Sequence, residues 1–398
     1  LKNLLLSTRA SSASEPSAAA APGKAVMKCE DGSPMTGKKR FLILTSDSGF
    51  GHRSAANSVA KAMCLLHPGE SETTIVNPIH EDSGLQLLKE TERNYDYDIK
   101  NNPVWFRFTY SILDSRPASA LVENTLIRAL SEPLGRLIRS IQPDAVLSTN
   151  QLFNAPAGAA LKSMKHKIPF HTVVTDLADV HTLWFNPDPD RFFVASEQVR
   201  SKAVANGIPP ARISISGIPV DPDFKTRRTP QSETRLRLGL DPQLTTLLFV
   251  GSRRVSGIFE HLEALENFSH PIQAIVITGG DDELLEKLCA HPWSYPLLAA
   301  PFVTNIPEWM ECADILVTKA GGLILSEGFA AGLPIILIDS LPGQEEGNLR
   351  FVLDHQAGVQ VENPRGLSGA VDSWLREDGR LLKSFALTSQ ALGNPDAA

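Results

Sequence analysis

Phe41-Leu42-Ile43-Leu44-Thr45-Ser46-Asp47-Ser48-Gly49-Phe50-Gly51-His52-Arg53-Ser54-Ala55-Ala56 decides how this chain is read. The stretch opens on a short, continuously apolar run, the pattern of a strand buried on both faces of a parallel sheet. Glycine-bearing polar residues follow, and from Ser54 to Leu66 Ala, Val and Leu recur at helical spacing. Strand, Gly-rich turn and helix in this order place Gly49 and Gly51 where backbone approaches a ligand closely, with the helix's first N–H groups favouring an anion. His52 then stands at the carboxyl edge of the sheet, where an imidazole can take a proton from a hydroxyl near neutral pH. Spacing alone leaves a second reading equally open, a tight turn with His52 as a capping or surface residue.

Working outward, further strands are expected at 74–76, 145–149, 171–175 and 191–194, most of them beside a helix. A Pro- and charge-rich stretch, residues 219–230, interrupts the series. Strands then resume at 246–250, 274–278, 315–318 and 335–338. The fold class is α/β, with two Rossmann-like domains facing across a cleft. The expected division is a disordered tail at 1–37, an acceptor-binding domain at 38–220 and a nucleotide-binding domain at 221–398. Ligands in such sheets sit at the strands' carboxyl ends. The tail reading rests on the Ser, Ala and Pro bias of residues 11–21, which buries too little apolar surface to offset ordering.

With 398 residues, 42% hydrophobic, the chain is long enough for two cores. A net charge of -7 excludes a whole-surface grip on nucleic acid. Its four cysteines, Cys29, Cys64, Cys289 and Cys312, are scattered without metal-ligand spacing. A reduced, cytosolic setting with no bound metal is the simpler expectation. No apolar run approaches the length of a membrane-spanning helix.

Two more stretches carry chemistry. Thr318-Lys319-Ala320-Gly321-Gly322-Leu323-Ile324-Leu325-Ser326-Glu327 repeats the order strand, Gly-rich turn, helix. Its glycines expose amides to a diphosphate, and Glu327, one turn in, can accept from two ribose hydroxyls. The plain alternative for Glu327 is an acid favoured by the helix dipole. The loop Leu341-Pro342-Gly343-Gln344-Glu345-Glu346-Gly347-Asn348 offers side chains for sugar hydroxyls. A solvated loop has the same composition, but this one directly follows a strand.

Together with Val173-Val174-Thr175-Asp176-Leu177, His181, Trp184-Phe185, Gly217-Ile218-Pro219-Val220 and Gly332-Leu333-Pro334, these motifs resemble the monogalactosyldiacylglycerol synthase family and the related bacterial processive diacylglycerol glucosyltransferases. The peptidoglycan GlcNAc transferase is more distantly similar. The likeness runs from about Lys39 to about Trp374. It implies a hexosyltransferase using a UDP-sugar donor, a membrane lipid acceptor such as diacylglycerol, and inversion at the anomeric carbon without metal.

Position by position, the resemblance implies His52 as general base. Asp176 reads either as orienting His52 or the acceptor or, equally, as a strand-end carboxylate that caps the following turn. It implies Glu327 on the ribose, Gln344, Glu345 and Asn348 toward the sugar, and Lys319, Ala320, Gly321, Gly322 and Leu323 around the donor. Gly251, Ser252 and Arg253 fall near the diphosphate, and Phe302 and Val303 near the uracil. Phe50 departs from a glycine common among relatives, and Gly251-Ser252-Arg253-Arg254-Val255 follows the bacterial branch. Trp105, Phe106, Arg107 and Phe108 mix aromatic and basic residues, suited to an amphipathic core helix or, favoured by the lipid acceptor that the resemblance implies, to an anionic membrane surface on the cytoplasmic side. His181 and Trp184 read as acceptor contacts or as packing residues. Two other functions stay open: a catalytically idle nucleotide-sugar-binding regulator, and a UDP-sugar epimerase or hydrolase.

Overall fold

A computed structural model of the chain describes residues 24–28, 37–47, 51–81, 89–90, 114, 116–226, 229–341, 343 and 345–398. Gly49, Gln344 and the segment Trp105, Phe106, Arg107, Phe108 lie outside the described residues.

The first sheet contains β1 (Ala25–Lys28), β2 (Lys39–Leu44), β3 (Ser71–Val76), β4 (Ala145–Ser148), β5 (Phe170–Val173), β6 (Arg191–Val194) and β7 (Ile213–Ile215). They run in the order β1-β3-β2-β4-β5-β6-β7. Every pair is parallel except β1 with β3. The alternation of side chains along β2 explains its unbroken apolar run. Leu42 and Leu44 pack on one face with Leu130, Leu134 and Ile138 of the helix Arg116–Ile141, while Ile43 packs on the other with Ala56 and Ala60 of the helix Gly51–Leu66. Both faces are dry, so no polar position interrupts the strand.

The second sheet contains β8 (Thr245–Val250), β9 (Ile272–Ile277), β10 (Leu297–Ala300), β11 (Ile315–Lys319), β12 (Ile335–Asp339) and β13 (Gly358–Gln360), ordered β10-β9-β8-β11-β12-β13 and parallel throughout. Its strands divide in the same way. Leu248 and Ile275 join one core, and Leu247, Phe249, Ala274 and Val276 the other.

The tail expectation needs correction at residues 25–28, which form the antiparallel edge strand β1, with Ala25 opposite Ile75. Ala-Val-Met-Lys is too short and too ordinary to register as a strand, and its order comes from the edge of β3. A second correction concerns redox state: Cys64 is disulfide-bonded, whereas Cys289 and Cys312 are free thiols.

The chain passes from β7 to β8 through a linker that includes the helix Asp223–Thr226. The final residues fold back onto this linker. Asn394 Nδ2 donates to the Ser216 carbonyl at 2.7 Å, and Asp396 pairs with Lys225 at 2.5 Å. The preceding helix, Pro364–Leu392, changes direction at Arg376–Gly379, where four residues leave helical geometry.

Candidate active site

In each sheet the strand order reverses beside one strand: at β2, flanked by β3 and β4, and at β8, flanked by β9 and β11. A crevice opens at such a reversal because the connections leave to opposite faces. The residues after β2 and β11, singled out in the sequence, stand at these two points.

At the first reversal the helix Gly51–Leu66 starts one residue before His52. Arg53 and Asp47 hold the turn through an ion pair at 2.7 Å, and Asp47 also accepts from Asn77 at 3.0 Å. His52 is partly buried, and its Nδ1 lies 2.7 Å from Thr175 Oγ1 at the end of β5. Thr149, after β4, donates its hydroxyl to the His52 carbonyl at 3.1 Å. Burial pushes the imidazole down to about 4, with the Thr149 backbone opposing and the positive charge of Arg254 adding to the shift. The ring is therefore neutral at physiological pH, as a proton acceptor must be.

Asp176 does not orient His52 directly. Its Oδ2 accepts from Trp184 Nε1 at 2.7 Å. The Trp184 indole is fully buried with its centroid 6.2 Å from that of His52, so the Asp176 bond fixes the ring beside the imidazole. Burial raises the Asp176 carboxyl to about 6, against the stabilising indole bond and helped by the charges of Glu345 and Asp179. His181 is also buried. Its Nδ1 accepts from the Leu183 N–H at 3.1 Å, capping the short turn Thr182–Phe185. His181 is buried as a turn cap, and Trp184 is packed in the first domain's core. A short sequence dense in polar residues and aromatics has no local signal separating a turn cap from a ligand contact.

At the second reversal the helix Gly322–Ala330 begins directly against the first domain. A Cβ on Gly322 would stand 3.1 Å from the Thr175 carbonyl oxygen, and a Cβ on Gly51 would stand 3.8 Å from Leu323 Cβ. A side chain at Gly322 would thus press the Thr175 backbone back by a few tenths of an ångström. Two helix starts, with their unpaired N–H groups and positive dipole ends, converge on the same crevice, an arrangement that favours a diphosphate. Glu327 is buried one turn in. Desolvation first, and the facing charge of Asp221 second, raise its carboxyl to about 8. At neutral pH it is largely a neutral acid able to donate as well as accept. Asp221 is held in turn by Lys61 at 2.7 Å.

The other donor-side residues divide. Lys319 forms an ion pair with Glu345, whose second oxygen accepts from the Leu341 N–H at 2.9 Å. Glu345 is buried, so both of its oxygens are already engaged, and the pair presents itself as a unit. Asn348 is buried too: Nδ2 donates to the Ala320 carbonyl at 3.0 Å and Oδ1 accepts from the Ala178 N–H at 3.2 Å. Its amide thus joins the two domains through one bond on each side. Phe302 is exposed beside the partly buried Val303, which packs on the second core. Gly251 is buried against Ile258 at the end of β8, next to the partly buried Ser252, whose hydroxyl accepts from the Arg254 N–H at 3.2 Å. Arg253 is exposed and donates Nε to the Gly280 carbonyl at 3.0 Å. The neighbouring Arg254 is partly buried, and its charge reaches His52.

Among the described residues no group of three or more His, Cys, Asp or Glu is placed to hold a metal ion, and no helix is long and apolar enough to cross a membrane.

Two parallel sheets meeting at their reversal points define the fold of the two-domain glycosyltransferases. It is shared with MurG of Acinetobacter baumannii (TM-score 0.55, 16% identity, 90% of this chain and 96% of that one). It is shared also with the spinosyn rhamnosyltransferase SpnG (TM-score 0.53, 13% identity, 90% and 98%), and with Anabaena Alr3699/HepE in complex with UDP-glucose (TM-score 0.51, 14% identity, 90% and 96%). Residues 52–220 match the sequence profile of monogalactosyldiacylglycerol (MGDG) synthase. The chain belongs to the monogalactosyldiacylglycerol synthase family. It is 30% identical over 369 residues to a probable monogalactosyldiacylglycerol synthase 2 of rice (Oryza sativa subsp. japonica), covering 90% of this chain and 78% of the relative. The synthase of spinach (Spinacia oleracea) is 30% identical over 371 residues, covering 90% and 70%.

Proposed function

We infer that this chain transfers a hexosyl group from a UDP-sugar to diacylglycerol. The observation that carries the reading is the placement of a neutral His52 opposite the glycine-led helix Gly322–Ala330, in a chain of this family.

The step is a single displacement. His52 takes the proton of the acceptor hydroxyl, and the freed oxygen pair forms the bond to the anomeric carbon. The bond from that carbon to the diphosphate breaks, and its electron pair leaves with UDP. Attack from the face opposite the leaving group inverts the centre. The helix starts at Gly51 and Gly322 and the charge of Arg254 stabilise the diphosphate as it gains charge. The diphosphate's own negative charge offsets Arg254, raising the basicity of His52 once the donor is bound. Glu327 holds the ribose, and the Lys319–Glu345 pair, with Gln344, borders the sugar. Because diacylglycerol resides in a bilayer, we propose peripheral attachment to an anionic membrane surface, with residues 105–108 as its contact. The cytoplasmic-face assignment loses the support of four reduced thiols, given the disulfide at Cys64.

The test is His52→Ala assayed with several UDP-sugars and diacylglycerol in mixed micelles. Transfer is expected to fall about 10²–10⁴-fold, the range of general base catalysis, with UDP affinity retained. A wild-type protein that binds UDP without glycosylating any lipid overturns the reading in favour of a regulator. Turnover of UDP-sugar with no acceptor present overturns it in favour of a hydrolase or epimerase.

A further inference from the structure

An imidazole serves as a base only through the nitrogen that carries no proton, so the tautomer of His52 decides whether it works. Three neighbouring strand ends converge on the ring. His52 follows β2, Thr149 follows β4 and Thr175 lies beyond β5, and these strands are consecutive in the sheet. Thr175 is buried, and its Oγ1 is 2.7 Å from His52 Nδ1 and 3.4 Å from the Thr149 carbonyl oxygen. A carbonyl accepts and never donates.

One assignment satisfies all these groups: Nδ1–H donates to Thr175 Oγ1, and the Thr175 hydroxyl donates to the Thr149 carbonyl. The reverse assignment, with the hydroxyl donating to a bare Nδ1, leaves the carbonyl facing lone pairs alone. We propose that Thr175 is a positioning residue for the transfer reaction: its hydroxyl, anchored on the Thr149 carbonyl, fixes the Nδ1–H tautomer of His52 and leaves Nε2 bare for the acceptor hydroxyl. This inference rests on the transfer reading above.

A hydroxyl in this place orients the ring without bringing a negative charge to it. The adjacent carboxylate, Asp176, is turned to Trp184 instead. The charged groups around the pair are Arg254 from the second domain, which acts on His52, and Glu345, Asp179 and Lys202, which act on Asp176. When the acceptor proton reaches Nε2, the imidazolium keeps its Nδ1–H bond to Thr175, so no rearrangement accompanies the step.

The experiment compares full-length wild type, Thr175→Val and Thr175→Ser, with His52→Ala as reference. ¹⁵N-histidine spectra at neutral pH identify the His52 signals by their absence in His52→Ala. Wild type is expected to show a protonated Nδ1 and a bare Nε2, and Thr175→Val a mixture of tautomers. The kcat for transfer is expected to fall about 10- to 100-fold in Thr175→Val, part of the general-base contribution, with the KM for UDP-sugar unchanged, and to recover in Thr175→Ser. A wild-type spectrum with Nε2 protonated overturns the proposal, as does Thr175→Val with wild-type kcat in a protein where His52→Ala is inactive. Should wild type transfer no sugar at all, the functional reading fails, and the spectrum still decides the tautomer.

Discussion

Asn348 offers a sharp test of how the two domains meet. Its side chain makes one bond inside the second domain, to the Ala320 carbonyl, and one across the cleft, to the Ala178 N–H. The first holds the amide so that Oδ1 faces the second. Asn348→Ala removes both and leaves the Ala178 N–H dry in the closed form. One net hydrogen bond is worth about 0.5–1.5 kcal/mol, and an orphaned buried donor costs about 1–3 kcal/mol. Opening the domains rehydrates the orphan, so the penalty falls on closure and not on either domain's folding. A central figure of about 2 kcal/mol shifts the closed-to-open ratio roughly 30-fold, since about 1.4 kcal/mol is tenfold. Because catalysis requires both walls of the cleft, kcat/KM for transfer is expected to drop by a similar factor, with thermal stability of each domain nearly unchanged. Asn348→Leu fills the space that Ala empties and separates lost packing from lost bonding; it should be as impaired as Asn348→Ala. Transfer kinetics and the radius of gyration with UDP bound report the two quantities. Either variant retaining kcat/KM within twofold of wild type, at unchanged compactness, would refute the assignment of Asn348 as an interdomain clasp.

Gly347→Ala tests the same closure sterically. The added Cβ would meet Asp179 Cβ at 2.3 Å and its backbone nitrogen at 2.9 Å, so transfer should fall at least about tenfold while domain stability, set by contacts away from this surface, changes by roughly 0.5 kcal/mol or less. Glu327→Gln tests burial of the ribose-side acid. With its folded value raised to about 8 from 4.5, the folded protein holds a proton the unfolded chain gives up. Glu327 therefore contributes stability that is fully present below pH 4.5 and is lost as pH rises through 8. Thermal melts of wild type should weaken relative to Glu327→Gln across that window, by up to roughly 1.4 kcal/mol per pH unit; parallel curves would contradict it.

Much of the architecture is legible in the residues because the central strands are buried on both faces. Leu42, Ile43 and Leu44 have no polar neighbour to interrupt them, and the same holds for residues 247–250 of β8, 274–277 of β9, 315–317 of β11 and 335–338 of β12. The strands that escape a sequence reading are β1, β7, β10 and β13, three or four residues each. All four are edge strands, and their order is supplied by the neighbour they pair with. The site divides similarly. His52 and Gly322 follow from glycine turns after apolar runs. Thr175 does not, because a threonine past a strand end is common and acquires a role only when β2 and β5 bring it within 2.7 Å of His52. Asn348 stands out by its polar loop, but its partner across the interface, Ala178, is 170 positions distant. Contacts between domains have no local signature.

The folded-back end of the chain gives the molecule a two-ply hinge. Between Ser216 and Lys225 the covalent connection runs alongside the terminal residues Asn394 and Asp396, stitched to it at both ends of that span. A single strand permits swivel and bend alike. A laminated one resists torsion and yields along its thin direction, as a strip of plywood does. Rocking of one domain over the other then has to bend both plies together, the covalent linker and the segment stitched to it.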